Sequence, residues 1–288
     1  MFSDILLTVD FDRTLTAPDS TVPQRNIDAI TYFIKNGGAF TVNTGRSIPM
    51  CVNTVIPAVP VNAPLLLYNG SAAYDVKTGK LTRYAPLELD GAKLIRDLQT
   101  RFPQLHLEIQ GIDAHYLTRQ DTGWENYSQH NQCAWGYVTP ETVPQPFIKA
   151  ALYGQFRENT VASMYQATDE ELALFQEAVD YVESTYGNTV QVFRACARIA
   201  DIHALGVSKL RSARLLQKDL GKKILVCVGD AENDLTMLEG ADYAYCPADG
   251  IVADRFENVC PCAKGAVADV IYEKLPEILK KISVKTSG

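Results

Sequence analysis

The chain has 288 residues, 47% hydrophobic and 21% charged, with 27 Lys and Arg against 34 Asp and Glu and a formal net charge of −7. This composition suits a globular protein too long for one small core, so two domains are expected. The acidic balance, without any basic stripe, argues against nucleic-acid or anionic-membrane partners, and no apolar run approaches the ~20 residues that span a bilayer.

The first strand expected is Ile5–Val9, and it runs directly into Asp10-Phe11-Asp12-Arg13-Thr14. Side chains along a strand repeat every second residue, so Asp10 and Asp12 are expected to start on one side. Two like charges at the end of a buried strand are unfavourable without a cation. With the Thr14 hydroxyl nearby to hold an anion, the run points to metal-assisted chemistry on phosphate. A helix follows over Pro23–Lys35, with Ile27, Ile30, Phe33 and Ile34 at helical spacing and Gly37-Gly38 as its stop. The strand Ala39–Thr44 then ends in a hydroxyl, a glycine and a positive charge, Thr44-Gly45-Arg46. A short segment begins near Ile48, and a third strand, Pro64–Tyr68, leads into Asn69-Gly70-Ser71.

From about Arg83 to His203 the character changes. This part holds most of the Tyr and His residues and both Trp. Helices are expected at Asp90–Arg101 and Thr168–Thr185, and shorter, alternating strands at Leu105–Gln110, Val161–Tyr165 and Val190–Arg194. That pattern predicts an α+β domain whose antiparallel sheet is half exposed on one face. The aromatic stretch Trp124–Trp135 could stack on a sugar ring or base, or equally form core. His106, His115, His130 and His203 lack metal-ligand spacing and read as ordinary surface or satisfied histidines.

The long apolar strands resume after Gly206-Val207-Ser208-Lys209, which opens a helix carrying Leu210, Ala213, Leu216 and Leu220 and ending at Gly221. The strand Ile224–Val228 ends in Gly229-Asp230-Ala231-Glu232-Asn233-Asp234. A helix from about Asp234 to Glu239, a strand Asp242–Cys246 and an amphipathic helix Ala266–Ile282, interrupted by Pro276, complete the chain. Continuous apolar strands alternating with helices mean a parallel sheet covered on both faces, with ligands beyond the carboxyl ends of its strands. Asp10, Asp12, Thr44 and Asp230 all sit at such ends. The seven cysteines form no CxxC pair and read as free, mostly buried thiols of a reducing cytoplasm. Cys260-Pro261-Cys262 gives little support to a metal or redox site. No charged lead-in precedes an apolar stretch, so a secretory signal is not expected and a cytoplasmic location is.

Four segments, in order, resemble the four motifs of the haloacid dehalogenase-like hydrolases: Asp10 and Asp12, then Thr44, then Lys209, then Asp230 with Asp234. The Leu67–Ser71 and Gly229–Asp234 runs look like the Cof-type, sugar-phosphatase branch. The resemblance implies an α/β fold: a Rossmann-like parallel-sheet core of residues 1–82 and 204–288, with an α+β cap domain of residues 83–203 inserted. It implies an Mg²⁺-dependent phosphatase acting on a small phosphorylated metabolite, with a sugar phosphate expected. Asp10 would be the nucleophile, Asp12 the general acid and base, and Lys209 the neutralising cation. Thr44 and the Gly45 amide would hold phosphate oxygens, with Arg46, Asn69 and Asn233 as further phosphate or substrate contacts. The metal set would be Asp10, the Asp12 carbonyl, Asp230 and Asp234, with Asp234 and Asn233 orienting Lys209 and the metal's waters. Two alternatives are a phosphomutase of the same superfamily and a non-catalytic regulator that binds phosphometabolites. The regulator would be expected to have lost a motif carboxylate, and none is lost here. One residue departs from the family pattern: Arg13 stands where glycine commonly follows the second aspartate. Oligomeric state is not legible.

Overall fold

The computed structural model describes residues 1–154 and 166–286. The chain divides into two compact units. One comprises Met1–Gly45, Val55–Thr82 and Ser208–Gly288; the other comprises Arg46–Thr54 and Arg83–Val207. The short segment Arg46–Thr54, which sequence reasoning left with the first unit, packs instead with the second.

The first unit is built on five parallel strands in the order Glu257–Val259, Tyr243–Pro247, Ile224–Val228, Ile5–Val9, Ala39–Val42. All five residues of Ile5–Val9 are buried, as a central strand with both faces covered must be. Helix Gln24–Lys35 buries Ala29, Ile30 and Phe33, and helix Lys209–Asp219 buries Ala213 and Leu216. Each buried apolar side chain contributes ~1.5–3 kcal/mol. The register sets Val9 beside Val228 on one side and Val42 on the other. The residues that follow these three strands therefore emerge at one edge of the sheet. Beyond Val42, Asn43 bridges in parallel to Leu66. Leu65–Leu67 also starts a three-stranded sheet with Ala72–Asp75 and Lys80–Tyr84. The C-terminal helical region widens before Pro276: the π-turn Val270–Lys274 joins Ala266–Asp269 to Leu275–Thr286 with helical backbone at both junctions. Pro276 follows directly on this widened turn, which accommodates a residue without an N–H.

The second unit has a six-stranded sheet in the order Val190–Cys196, Ile199–Ala204, Lys149–Gly154, Leu105–Gln110, His115–Leu117, Trp135–Tyr137. Its neighbours are antiparallel except for the last pair. Helices Gly91–Arg101 and Asp169–Tyr186 cover one face, packing Leu94, Ile95, Leu98, Phe175 and Val182 on Leu107, Ile109 and Leu152. Asp90 and Thr168 cap them, Thr168 through a full capping box with Glu171. The other face is not exposed as expected. Every residue of Leu105–Gln110 and Lys149–Gly154 is buried, because helix Thr122–His130 and the segment Arg46–Thr54 lie against it. Trp124 stacks on Tyr153 with ring centroids 4.3 Å apart, so that aromatic is core. The strand expected at Val161–Tyr165 lies outside the described residues.

Candidate active site

The strand Ile5–Val9 stops one residue short of Asp10, and Phe11–Leu15 is a wide turn in which Asp12 is extended and Arg13 left-handed. The placement of Asp12 is thus set by a turn rather than by strand alternation. Asn26 braces that turn: its Nδ2 donates to Leu15 O at 3.0 Å, and its Oδ1 accepts from Ala268 N at 2.9 Å. Asp10 is anchored by its own N–H on Val228 O at 2.9 Å. Arg13 has φ +60° and is exposed. This is the conformation that explains why glycine is usual there, and the arginine holds it under strain.

Lys209 opens its helix after Ser208, whose hydroxyl accepts from Arg211 N at 3.0 Å. The lysine is 1% exposed. Its Nζ donates to Asp10 Oδ1 at 2.6 Å and to Asp234 Oδ1 at 2.7 Å. The second oxygen of Asp234 accepts from the Asp230 and Ala231 amides at 3.0 and 3.2 Å. That fold-back needs Gly229, where a Cβ would sit 2.6 Å from the Asp234 side chain. Thr14 donates to Asp230 Oδ1 at 2.7 Å, so its hydroxyl serves a carboxylate of the protein itself, where a bound phosphate was expected. Carboxylate oxygens of Asp10, Asp230 and Asp234 lie within 4.8 Å of one another, all three buried.

Three carboxylates thus share one ammonium. Two unit charges ~4 Å apart interact by about 4 kcal/mol at an effective dielectric of ~20, so one cation does not balance the cluster. The titration follows. Burial above all, with the neighbouring aspartates, raises the Asp10 carboxyl well above its ordinary range, although Lys209 opposes this. Burial and then Asp234 push Asp230 up to about 6, against the pull of Thr14 and Lys209. Burial alone would lower the Lys209 pKa, but Asp10 and Asp234 outweigh it and raise it. Buried hard-oxygen donors with excess negative charge are what a small divalent cation requires. The residues present fit such an ion.

Thr44 is held by its N–H on Leu66 O at 2.9 Å and by its carbonyl accepting from Asn69 N at 3.0 Å. At Gly45 a Cβ would meet Asn69 Oδ1 at 2.9 Å, so only glycine lets Asn69 approach. Asn233 is half-buried in the turn Glu232–Asp234. Arg46 falls in the second unit, where its Nη1 donates to Asn131 Oδ1 at 2.9 Å and to Thr54 Oγ1 at 3.1 Å. Sequence reasoning missed Asn43, whose Nδ2 donates to Lys209 O at 2.9 Å and so fixes the start of the lysine helix. An asparagine directly after the largely apolar strand Ala39–Val42 is the signal in the sequence.

The profile of the haloacid dehalogenase-like hydrolases matches residues 7–255. The chain belongs to this family. The Cof-type branch expected from the motifs is where it falls, and it is an enzyme of the hydrolase class. A relative is the 5-amino-6-(5-phospho-D-ribitylamino)uracil phosphatase YitU of Bacillus subtilis strain 168, 21% identical over 257 residues, which cover 86% of this chain and 88% of that protein. Among solved structures, a haloacid dehalogenase-like hydrolase from B. subtilis aligns with a TM-score of 0.76 at 16% identity, over 93% of this chain and 99% of that one. The subclass IIB sugar phosphatase BT4131 aligns with a TM-score of 0.72 at 14% identity, over 92% and 97% of the two chains. Among the described residues no helix is long and apolar enough to cross a membrane.

Proposed function

We propose that this hydrolase is an Mg²⁺-dependent phosphatase of a small phosphorylated metabolite, a sugar phosphate by class, working through an aspartyl-phosphate on Asp10. The observation that carries the reading is the buried cluster in which Lys209 bridges Asp10 and Asp234 beside Asp230. The phosphatase activities of YitU and BT4131 support it. An Asp10 oxygen attacks phosphorus, the ester P–O bond breaks, and Asp12 gives its proton to the leaving oxygen. Asp12 then takes a proton from water as that water attacks phosphorus, and the Asp10–phosphorus bond breaks to release phosphate. Thr44 and the Gly45 amide hold the phosphate oxygens, and Lys209 offsets charge growing on them. Asp10, Asp230 and the Asp12 carbonyl would hold Mg²⁺, which polarises a phosphoryl oxygen and screens the carboxylates from the dianion. Asp234, with both oxygens already engaged, orients Lys209 and the Asp230 amide instead of binding the ion. Asn69 braces Gly45, and Asn233 stands beside the metal ligands. By resemblance the second unit serves as a cap that sets substrate choice.

The test is a screen of phosphorylated metabolites with Mg²⁺, read as released inorganic phosphate. Release that stops in chelator and returns with Mg²⁺ is expected. Full activity in excess chelator contradicts the metal role. A need for a bisphosphorylated sugar, with no net phosphate released, would establish the phosphomutase instead.

A further inference from the structure

The second unit buries a chain of polar contacts that the proposed chemistry leaves unused. His115 Nε2 lies 2.6 Å from Ser47 Oγ, and His115 Nδ1 lies 2.7 Å from Glu108 Oε1. Gln110 donates to the other Glu108 oxygen at 2.8 Å. Ser47 and Glu108 are 0% exposed and His115 is 1% exposed. Burial would raise the Glu108 carboxyl, but His115, Gln110 and Trp124 around it outweigh that and keep it low.

The order of contacts, hydroxyl to imidazole to carboxylate, is that of a serine-hydrolase triad. Burial rules that reading out, because no substrate reaches Ser47. The hydroxyl is also committed: it accepts from Met50 N at 3.3 Å at the start of helix Ile48–Thr54.

The position of Ser47 in the chain gives the contact its meaning. It stands two residues beyond Gly45, so at most ~7 Å of chain separates them and little slack absorbs a displacement. Gly45 and Thr44 are held on one side by Leu66 and Asn69. Beyond Gly45 the chain enters the second unit, where Arg46 is tied to Asn131 at 2.9 Å and Asn53 Nδ2 to Gln132 O at 2.9 Å. Ser47 is the most buried of the tied residues. Burying an imidazole and a carboxyl is costly, and an apolar pair of similar volume would pack as well. What the apolar pair could not do is hold a hydroxyl in one orientation. We infer that His115 is a positioning residue: backed by Glu108, it fixes Ser47 and thereby the Thr44-Gly45 loop that grips phosphate.

This inference rests on the phosphate-binding role proposed for Thr44 and Gly45. Its test is calorimetric binding of inorganic phosphate, with Mg²⁺ present, alongside steady-state hydrolysis of p-nitrophenyl phosphate. Ser47→Ala and His115→Ala should each weaken phosphate binding and raise KM by about tenfold, the size of one lost polar contact. Their kcat should stay within about threefold of the parent. The double variant should be no worse than either single one, since both remove the same contact. Ser47→Thr, which keeps the hydroxyl, should restore phosphate affinity. Leu98→Ala, which loosens the helical side of the same sheet, should lower Tm without moving phosphate affinity. Unchanged affinity in Ser47→Ala, or additive losses in the double variant, overturns the inference. If His115→Ala does not fold, the Ser47→Ala and Ser47→Thr pair decides it. A parent protein that binds phosphate but hydrolyses no ester refutes the phosphatase reading and leaves the binding comparison intact.

Discussion

The two units bury charge in opposite ways. In the first, Asp10, Asp230 and Asp234 converge on the single ammonium of Lys209. In the second, an acidic and a basic side chain lie side by side at Glu108 and His115, 2.7 Å apart, and at Lys149 and Asp201, 3.1 Å apart. A balanced pair is complete as it stands. An unbalanced cluster is stable only because the sheet around it holds it, and it has an outstanding demand for positive charge. The difference separates a site built for an ion from polar contacts built to hold chain segments in place. Buried ionisable residues alone do not mark a catalytic centre; their charge balance is the better guide.

The largest effect should come from the residue at the centre of the imbalance. Asp10→Asn should lower phosphate release by about 10⁴-fold or more, since an amide is a poor nucleophile. Far-ultraviolet circular dichroism should show the fold unchanged, because the substitution is nearly isosteric and removes one of the crowded charges. Retained turnover would show that the charge excess serves some other end.

Lys209→Met should cost about 3–5 kcal/mol in chelator, because it leaves buried carboxylates without their cation. Added Mg²⁺ should recover part of that loss. Lys149→Met takes the ammonium away from the buried Asp201 and should cost a similar amount, yet Mg²⁺ should not restore it. Urea denaturation of both variants, with and without the ion, makes the contrast measurable. Equal rescue of the two would erase the distinction between the units.

The pH dependence tests the same point on a smaller scale. Asp230 titrates at about 6 in the fold against 3.8 as an ordinary group. Its folded pKa is the higher one, so the folded chain holds the extra proton between those values. That stability is fully present below about 3.8 and is lost as pH rises through about 6. Asp10 shifts in the same direction. In chelator the parent should therefore lose on the order of 2–3 kcal/mol relative to Asp230→Asn between pH 4 and pH 7.5. Parallel stability curves would mean that burial and the neighbouring Asp234 do not raise Asp230 as the geometry implies.

The smallest effect is expected at Arg13. Arg13→Gly should relieve the φ of +60° and gain about 1 kcal/mol. The gain should be partly offset at neutral pH, because the guanidinium favours the ionised Asp230. A thermal melt at pH 5 and at pH 7.5 reads both terms.

Much of the first unit was legible in the sequence because its information is local and strong. Long apolar strands such as Ile5–Val9 and Ile224–Val228 can only be buried, and helices between them leave only a parallel sheet. The ends of such strands must share an edge, so Asp10, Thr44 and Asp230 could be grouped before any coordinates. In the second unit the two helices and the strands Leu105–Gln110 and Val190–Cys196 were legible, but the burial of its sheet was not. The strands Lys149–Gly154 and Ile199–Ala204 carry polar residues on a face that looks solvated in sequence. Segments distant in the chain fold onto that side of the sheet: Trp124 stacks on Tyr153, and Ser47 meets His115. Likewise His115 looked ordinary, since neither Glu108 nor Ser47 is marked as its partner by spacing. The sequence by itself determined the sheet, the order of the motifs and the set of acidic residues, because periodicity and strand ends act over a few residues. The tertiary structure alone decided that Thr14 serves Asp230, that both Asp234 oxygens are engaged, and that Ser47 answers to His115. Those contacts join residues 216, 25, 4 and 68 positions apart, and where the partners are far apart in sequence only the packing of the elements that carry them brings two such side chains within hydrogen-bond reach.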